Sequence, residues 1–207
     1  MSDMKAMSTF SNAAARQEIV FLTNELGDLS TLLAGLPPLA EVHLLDARQD
    51  GLAQMAAVLH GRSGIQTLHL ICHGAPGRLQ LGRTPIDLHQ LPCHTNALNT
   101  ISNALLEDGQ WLIYGCEVAQ GQAGRRFVDA LATQTGLRVA AASHKVGAAE
   151  FGGDWTLDYA PQAVRQALAV PQWQGVLSPT IGDAVIDLGA DGKLIKPVQV
   201  EGKWYYF

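Results

Sequence analysis

Two short apolar runs constrain the fold of this 207-residue chain more than any other feature. One, at residues 68–74, ends in His-Gly, and the other, at residues 111–116, ends in Gly-Cys. Apolar runs of this length that stop at glycine are typical of strands buried on both faces, as in a parallel sheet. If the two strands are neighbours, the imidazole of His73 and the thiol of Cys116 meet at one solvent-reachable edge of the sheet.

The rest of the chain up to residue 142 alternates between strand and helix patterns. Such alternation predicts a three-layer α/β/α sandwich with a mainly parallel sheet, in which ligands bind beyond the carboxyl ends of the strands. Helices are predicted after Asp28, over 52–59, 97–106 and 121–135. Strands are predicted at 19–22, 42–46, 68–72, 110–115 and 137–142, with a small hairpin at 78–88 between the third and fourth.

Beyond Ser143 the alternation lapses, with an edge strand predicted at 154–159 and a last helix at 162–168. We therefore expect three regions: a disordered segment at 1–17, an α/β domain at 18–170 and a β-rich extension at 171–207. The extension carries strand-like pieces at 184–188 and 203–207 and ends inside an aromatic run. An exposed aromatic strand end is a poor terminus, so the extension is interpreted as the truncated start of a following module.

Composition excludes several functions. A net charge of −5 without a basic cluster argues against nucleic acid as a partner. Three widely spaced cysteines lack the pairing of a zinc site, so neither a metal nor a disulfide is predicted. No glycine loop for a nucleotide is present, and no cofactor is expected. The N-terminal segment lacks the apolar core of a signal peptide, and no apolar run approaches the roughly 18 residues of a membrane span.

The two strand-end motifs fit nucleophilic catalysis by a thiol. A thiol attacks a carbonyl as thiolate and needs an imidazole to take its proton, which gives His73 the role of base and Cys116 that of nucleophile. The backbone N–H groups of Gly74 and Cys116 are the candidate oxyanion hole. A cysteine at a strand end can also be a small buried hydrophobe, and a histidine a satisfied core residue.

The other candidate nucleophiles in the sequence are less well supported than Cys116. Cys72 precedes His73 directly, so its side chain should point to the opposite face of the sheet and fill the core. Cys93 and His94 form another candidate dyad, although adjacent residues rarely converge. The Gly-x-Ser-x-Gly turn of a serine hydrolase is missing.

An apolar run ending in His-Gly, followed by another ending in Gly-Cys, resembles the caspase, legumain, gingipain and clostripain group, the clan CD cysteine peptidases. Residues 18–170 more closely resemble a caspase-like domain, without an assigned function, near the N-terminus of giant bacterial surface adhesins. The tail at 192–206 resembles the module that follows it there. The segments that carry the closer resemblance are 33–37, 50–52, 73–77, 79–82, 114–119 and 152–155.

The resemblance implies a cysteine endopeptidase with a His73–Cys116 dyad that acts on a peptide or protein, including its own adhesin chain. It also implies a bacterial protein, secreted or at the cell surface by a route without a classical signal peptide and cytoplasmic before export. Tyr114, two residues before the nucleophile, and the loop carrying Ser143 and Lys145 would shape the substrate pocket; the basic loop favours an acidic side chain. The alternative is a catalytically inactive caspase-like module that binds proteins or caps the adhesin, because fold alone does not fix function.

Overall fold

The structure is a computed structural model that describes residues 17–83, 85–165 and 168–178, and the short stretches 180–181, 184–185, 198–200 and 203–205. The predicted disordered segment lies outside these residues except for Gln17. The helices are α1 (Leu29–Ala34), α2 (Gly51–Leu59), α3 (Thr95–Ala104) and α4 (Gly121–Thr135), with 3₁₀ turns at Leu91–His94 and Ala149–Phe151. The strands are β1 (Gln17–Thr23), β2 (Glu41–Leu45), β3 (Ile65–Ile71), β4 (His73–Ala75), β5 (Arg78–Gln80), β6 (Ile86–Asp87), β7 (Leu105–Tyr114), β8 (Arg138–Ala141), β9 (Thr180–Ile181), β10 (Ala184–Val185), β11 (Val198–Val200) and β12 (Lys203–Tyr205).

The main sheet has five parallel strands in the order β2-β1-β3-β7-β8, which confirms the predicted α/β class with a mainly parallel sheet. Its central strands are apolar because they are covered on both faces; every residue of β3 is buried. The strands β3 and β7 pair with Ile71 opposite Tyr114, so both end at the same edge. Near its start β7 bulges, with residues 105–110 opposite 65–67, and Asp108 and Gly109 lie in this bulge.

Helices begin and end where local chemistry places them. As predicted, α1 follows Asp28, whose carboxylate accepts a hydrogen bond from Thr31 N–H; Gly35 closes the helix. Asp50 caps α2 in the same way, through Ala53 N–H at 2.9 Å. Gly136 ends α4 with φ of 69°, a left-handed conformation that glycine adopts without strain.

Two apolar clusters cover the sheet, one on each face. On one face, α2, α3 and α4 pack their buried sides, including Met55, Ile101 and Phe127, against the strands. On the other face, α1 is joined by an irregular segment that contributes Trp155, Trp173 and Leu177. This second layer is therefore built largely by chain that follows β8, without a long helix.

The region after β8 departs from the predictions. The helix expected at 162–168 is absent from its described residues 162–165 and 168. The edge strand expected at 154–159 is reduced to isolated bridges at Asp154 and Tyr159. The predicted division after residue 170 falls inside packed structure, because Trp173 and Leu177 are buried in the second cluster. The extension does contain β structure, as two antiparallel pairs, β9–β10 and β11–β12; residues 186–188 and 206–207 lie outside the described ranges.

The predicted hairpin after β3 is present as β5 and β6, and β4 adds a third antiparallel strand to it. The strand β4 starts with His73, paired with Gln80, so this small sheet holds the His-Gly turn in place at the edge of the main sheet.

Candidate active site

The structure brings the His-Gly and Gly-Cys turns into direct contact at the carboxyl edge of the main sheet. Cys72 N–H donates to the carbonyl of Tyr114 at 3.0 Å, which continues the β3–β7 ladder up to the two turns. A Cβ added to Gly74 would lie only 2.9 Å from the carbonyl oxygen of Cys116. Only a glycine after His73 therefore lets the two turns approach this closely.

The two backbone donors predicted for the oxyanion hole point at one oxygen atom. Gly74 N–H donates to the carbonyl of Leu177 at 2.9 Å, and Cys116 N–H donates to the same carbonyl at 3.3 Å. Convergence of two N–H groups on a carbonyl next to a thiol is the geometry that stabilises a tetrahedral oxyanion. The oxygen that fills this position belongs to a peptide bond of the chain itself.

The segment that supplies this carbonyl is bound as an added strand. Leu177 N–H donates to Val146 O at 2.9 Å, and Ala148 N–H donates to Gly175 O at 2.8 Å. Gly147 and Val176 form the antiparallel bridge between these bonds. A Cβ at Gly147 would lie 2.3 Å from Gly175 O, so residues 146–148 hold the segment in close backbone contact.

The Cys116 thiol is fully buried and held by a backbone group. Its Sγ accepts a hydrogen bond from Val146 N–H at 3.1 Å and lies 3.5 Å from Val146 O. Burial raises the pKa of Cys116 to about 11, although the neighbouring Ser178 hydroxyl and the Val146 peptide act in the opposite direction. The Ser178 hydroxyl itself has no hydrogen bond of ordinary geometry. At neutral pH the sulfur in this arrangement is therefore a thiol.

The His73 imidazole is buried as well, with 8% of the residue exposed. Burial lowers the pKa of His73, an effect that the Glu25 carboxylate and then the backbone of Leu177 and Ser178 partly offset. Its Nδ1 has no hydrogen-bond partner. At neutral pH the ring is the free base, the form that can take a proton from a thiol.

The expectation that this edge is open to solvent is wrong. Cys116 has 0% exposure, its Sγ contacts the Val146 peptide, and the Leu177 carbonyl of the covering segment 175–178 occupies the oxyanion position. The covering segment lies in the part of the chain that the sequence assigned to the extension.

The residue after the nucleophile adopts an unusual backbone. Glu117 has φ of 61°, one of two non-glycine residues with positive φ among those described. Its N–H donates to His144 O at 2.8 Å, which ties the Cys116 turn to the loop after β8. Backbone conformations of this kind cost free energy and are typical of functional turns.

The three residues predicted to shape the substrate pocket, Tyr114, Ser143 and Lys145, lie in different environments. Tyr114 is buried in the same apolar cluster as Leu177, and its hydroxyl accepts a hydrogen bond from Leu168 N–H. The Ser143 hydroxyl donates to Asp158, and Lys145 is half-buried with its carbonyl bound to Asp154 N–H. The main-chain hydrogen bonds to the bound segment come from Val146 and Ala148, which follow Ser143 and Lys145 in the same loop.

The other two cysteines lie outside the site. Cys72 packs in the opposite apolar cluster from Cys116, where burial, and secondarily Cys116, raise its pKa to about 12, as expected of a core residue. Cys93 is exposed on a 3₁₀ turn, and the neighbouring His94 pairs with Asp50 at 3.4 Å rather than with the thiol.

Sequence reasoning missed Val146, Leu177, Ser178 and Glu25 at this site. None lies in a recognisable motif; the closest signal is Gly147, whose missing side chain permits the close contact with Gly175 O. Within the described residues, no group of three or more His, Cys, Asp and Glu side chains is arranged to bind a metal. No helix among them has the length and apolarity to cross a membrane.

The fold and site together define an α/β domain with a histidine and a cysteine at neighbouring strand ends. Residues 19–177 match a family described as a domain of unknown function, DUF4347, and the chain belongs to this family. A comparison with curated proteins gives no match.

Proposed function

We propose that this protein is a caspase-like cysteine endopeptidase that uses a His73–Cys116 dyad, within a bacterial surface adhesin that it autoprocesses. The convergence of Gly74 N–H and Cys116 N–H on a single peptide carbonyl carries the proposal. The backbone of Leu177 contacts both the thiol and the imidazole, and acyl transfer requires a peptide carbonyl in such a position. The resemblance to clan CD peptidases supports the same chemistry, and the adhesin context rests on that resemblance alone.

The dyad would start from two neutral groups. Burial raises the pKa of Cys116 to about 11 and lowers that of His73, so the free-base imidazole accepts the thiol proton as sulfur attacks. The Gly74 and Cys116 N–H groups then hold the negative charge that develops on the carbonyl oxygen.

A set of single substitutions in the 207-residue chain tests the dyad. We expect Cys116→Ala and His73→Ala each to slow peptide-bond cleavage by at least about 10³-fold, as loss of a catalytic nucleophile or base does. Cys93→Ala is the matched control, because Cys93 is exposed on the 3₁₀ turn Leu91–His94, outside the His-Gly and Gly-Cys turns, and this variant should cleave like the wild type. Intact-mass spectrometry after incubation measures the products. Equal cleavage by the wild type and Cys116→Ala contradicts the proposal.

An inactive protein-binding module is the second candidate function. It is favoured by the full burial of Cys116 and by the raised pKa of its thiol, which describe an unreactive sulfur. This alternative would be favoured by a wild-type chain that cleaves no bond, together with a variant in which residues 175–178 no longer cover Cys116 and the thiol still does not react with thiol-directed peptide probes.

A further inference from the structure

Residues 175–178 fill the candidate active site in the position that a bound peptide substrate would take. We propose that the bond between Leu177 and Ser178 is the scissile bond and that the dyad cuts it within the same molecule. This inference rests on the proposed function and adds its substrate: an apolar residue, leucine, immediately before the cleaved bond. The carbonyl of Leu177 is the one held by both oxyanion donors.

Hydrogen bonding fixes the register of this peptide. The pairing of Leu177 with Val146 and of Gly175 with Ala148 is antiparallel strand addition, in which main-chain bonds hold the peptide and alternate side chains enter pockets. A shift by one residue would turn Leu177 to the opposite side and replace its carbonyl in the oxyanion position. The register therefore selects one bond.

Burial of the Leu177 side chain defines the specificity. The residue is 0% exposed and belongs to the apolar cluster that contains Tyr114, Trp155 and Trp173. An acidic side chain there would be desolvated without a partner, which disfavours binding of such a residue. The acidic preference expected from the basic loop is thus replaced by an apolar one.

The position of the bond along the chain agrees with a processing role. The family match ends at residue 177, immediately before the proposed cut. The strand pairs of the extension, β9–β10 and β11–β12, all follow it. Cleavage would release this extension, with whatever is joined to it, from the α/β domain.

Each bond change in the proposed reaction is defined. Cys116 Sγ bonds to the carbonyl carbon of Leu177 while its proton passes to His73, which gives a tetrahedral oxyanion. The C–N bond to Ser178 then breaks, and His73 returns the proton to the new amine of Ser178. Water, activated by His73, hydrolyses the Leu177–Cys116 thioester to the Leu177 carboxylate and the free thiol.

A matched pair of variants tests the specificity. We follow cell-free synthesis of the 207-residue wild type, Leu177→Met and Leu177→Asp by intact mass. Wild type should yield fragments ending at Leu177 and starting at Ser178, at a rate independent of chain concentration. Leu177→Met, similar in volume and polarity, should cleave within about fivefold of wild type, and Leu177→Asp at least about 100-fold more slowly. A rate proportional to chain concentration, or equal cleavage of both variants, overturns the inference.

A peptide probe separates this inference from the proposed function. Leu177→Asp should free the cleft, so acetyl-Gln-Gly-Val-Leu acyloxymethyl ketone should label Cys116 in this variant and not in Leu177→Asp with Cys116→Ala. Cys116-dependent cleavage at another bond, or labelling without a cut after Leu177 in the wild type, overturns the scissile bond and leaves the peptidase. No cleavage of wild type and no labelling of Leu177→Asp, with far-ultraviolet circular dichroism showing that it is folded, overturns both.

Discussion

Replacing Gly74 with alanine is expected to lower the rate of Cys116-dependent cleavage by at least about 100-fold, comparable with the loss of one oxyanion donor. The added Cβ would lie 2.6 Å from Val118 Cγ2, 2.9 Å from Cys116 O and 3.0 Å from Gly115 C. Two of these atoms are backbone and cannot rotate away. The β4 turn must therefore retreat from β7, which removes Gly74 N–H from the Leu177 carbonyl.

Gly27→Ala is the control for this prediction, because a Cβ at Gly27 meets nothing within 4 Å. The first-order rate of cleavage is measured by intact mass, and thermal unfolding shows whether each variant is folded. Cleavage by a folded Gly74→Ala chain within about threefold of wild type would mean that the Gly74 N–H contributes no transition-state stabilisation.

The meeting of His73 and Cys116 could be predicted because it depends on local patterns and one rule of topology. Two apolar runs, each long enough for a buried strand, end in polar or reactive residues. Parallel neighbours end at the same edge, so the two turns come together once β3 and β7 are adjacent, as they are in the sheet. Thiol chemistry gave each turn a candidate role, but a buried histidine and cysteine also have ordinary packing roles, and the resemblance was needed to favour catalysis.

The region from residue 160 onward could not be predicted because tertiary contacts replace its local preferences. The helix expected at 162–168 needs its backbone N–H groups for its own ladder. Instead, Arg165 N–H donates to the Gln110 side chain at 2.8 Å, and Leu168 N–H donates to the Tyr114 hydroxyl. Both acceptors lie on β7, more than 50 residues earlier in the chain. A helical period in the local sequence carries no information about such distant hydrogen-bond acceptors.

The sequence did not predict that residues 175–178 cover the site, for a related reason. Residues 173–178 show neither the alternation of a strand nor the period of a helix. They are held as one added strand by main-chain hydrogen bonds to Val146 and Ala148. Its partner loop follows β8 and carries a glycine at φ of 135°. Edge additions of this kind depend on main-chain hydrogen bonds, which are nearly independent of side-chain identity.

Replacing His69 with phenylalanine is expected to raise the free energy of unfolding at pH 5 and to flatten its dependence on pH. His69 lies in β3 with 0% exposure, stacks on Tyr114 at 6.0 Å, and has no hydrogen-bond partner at either ring nitrogen. Burial lowers its pKa to about 4 from 6.5. Below pH 6.5 the His69 side chain of the unfolded chain therefore becomes protonated, whereas in the folded chain it stays neutral until about pH 4. Lowering the pH through this window therefore decreases the free energy of unfolding by up to about 3 kcal/mol.

Phenylalanine keeps the ring and the stacking while it removes both unpaired nitrogens and the titration. At pH 7 the variant should be as stable as wild type or more stable by about 1–2 kcal/mol, because an unsatisfied buried polar group is lost. Urea unfolding at pH 5 and pH 7 measures the change, and His89→Phe, at an exposed position, is the matched control. The acid dependence from His73, whose pKa burial also lowers, should persist. An unchanged difference in stability between the two pH values would show that the folded chain already protonates His69 as readily as the unfolded chain does.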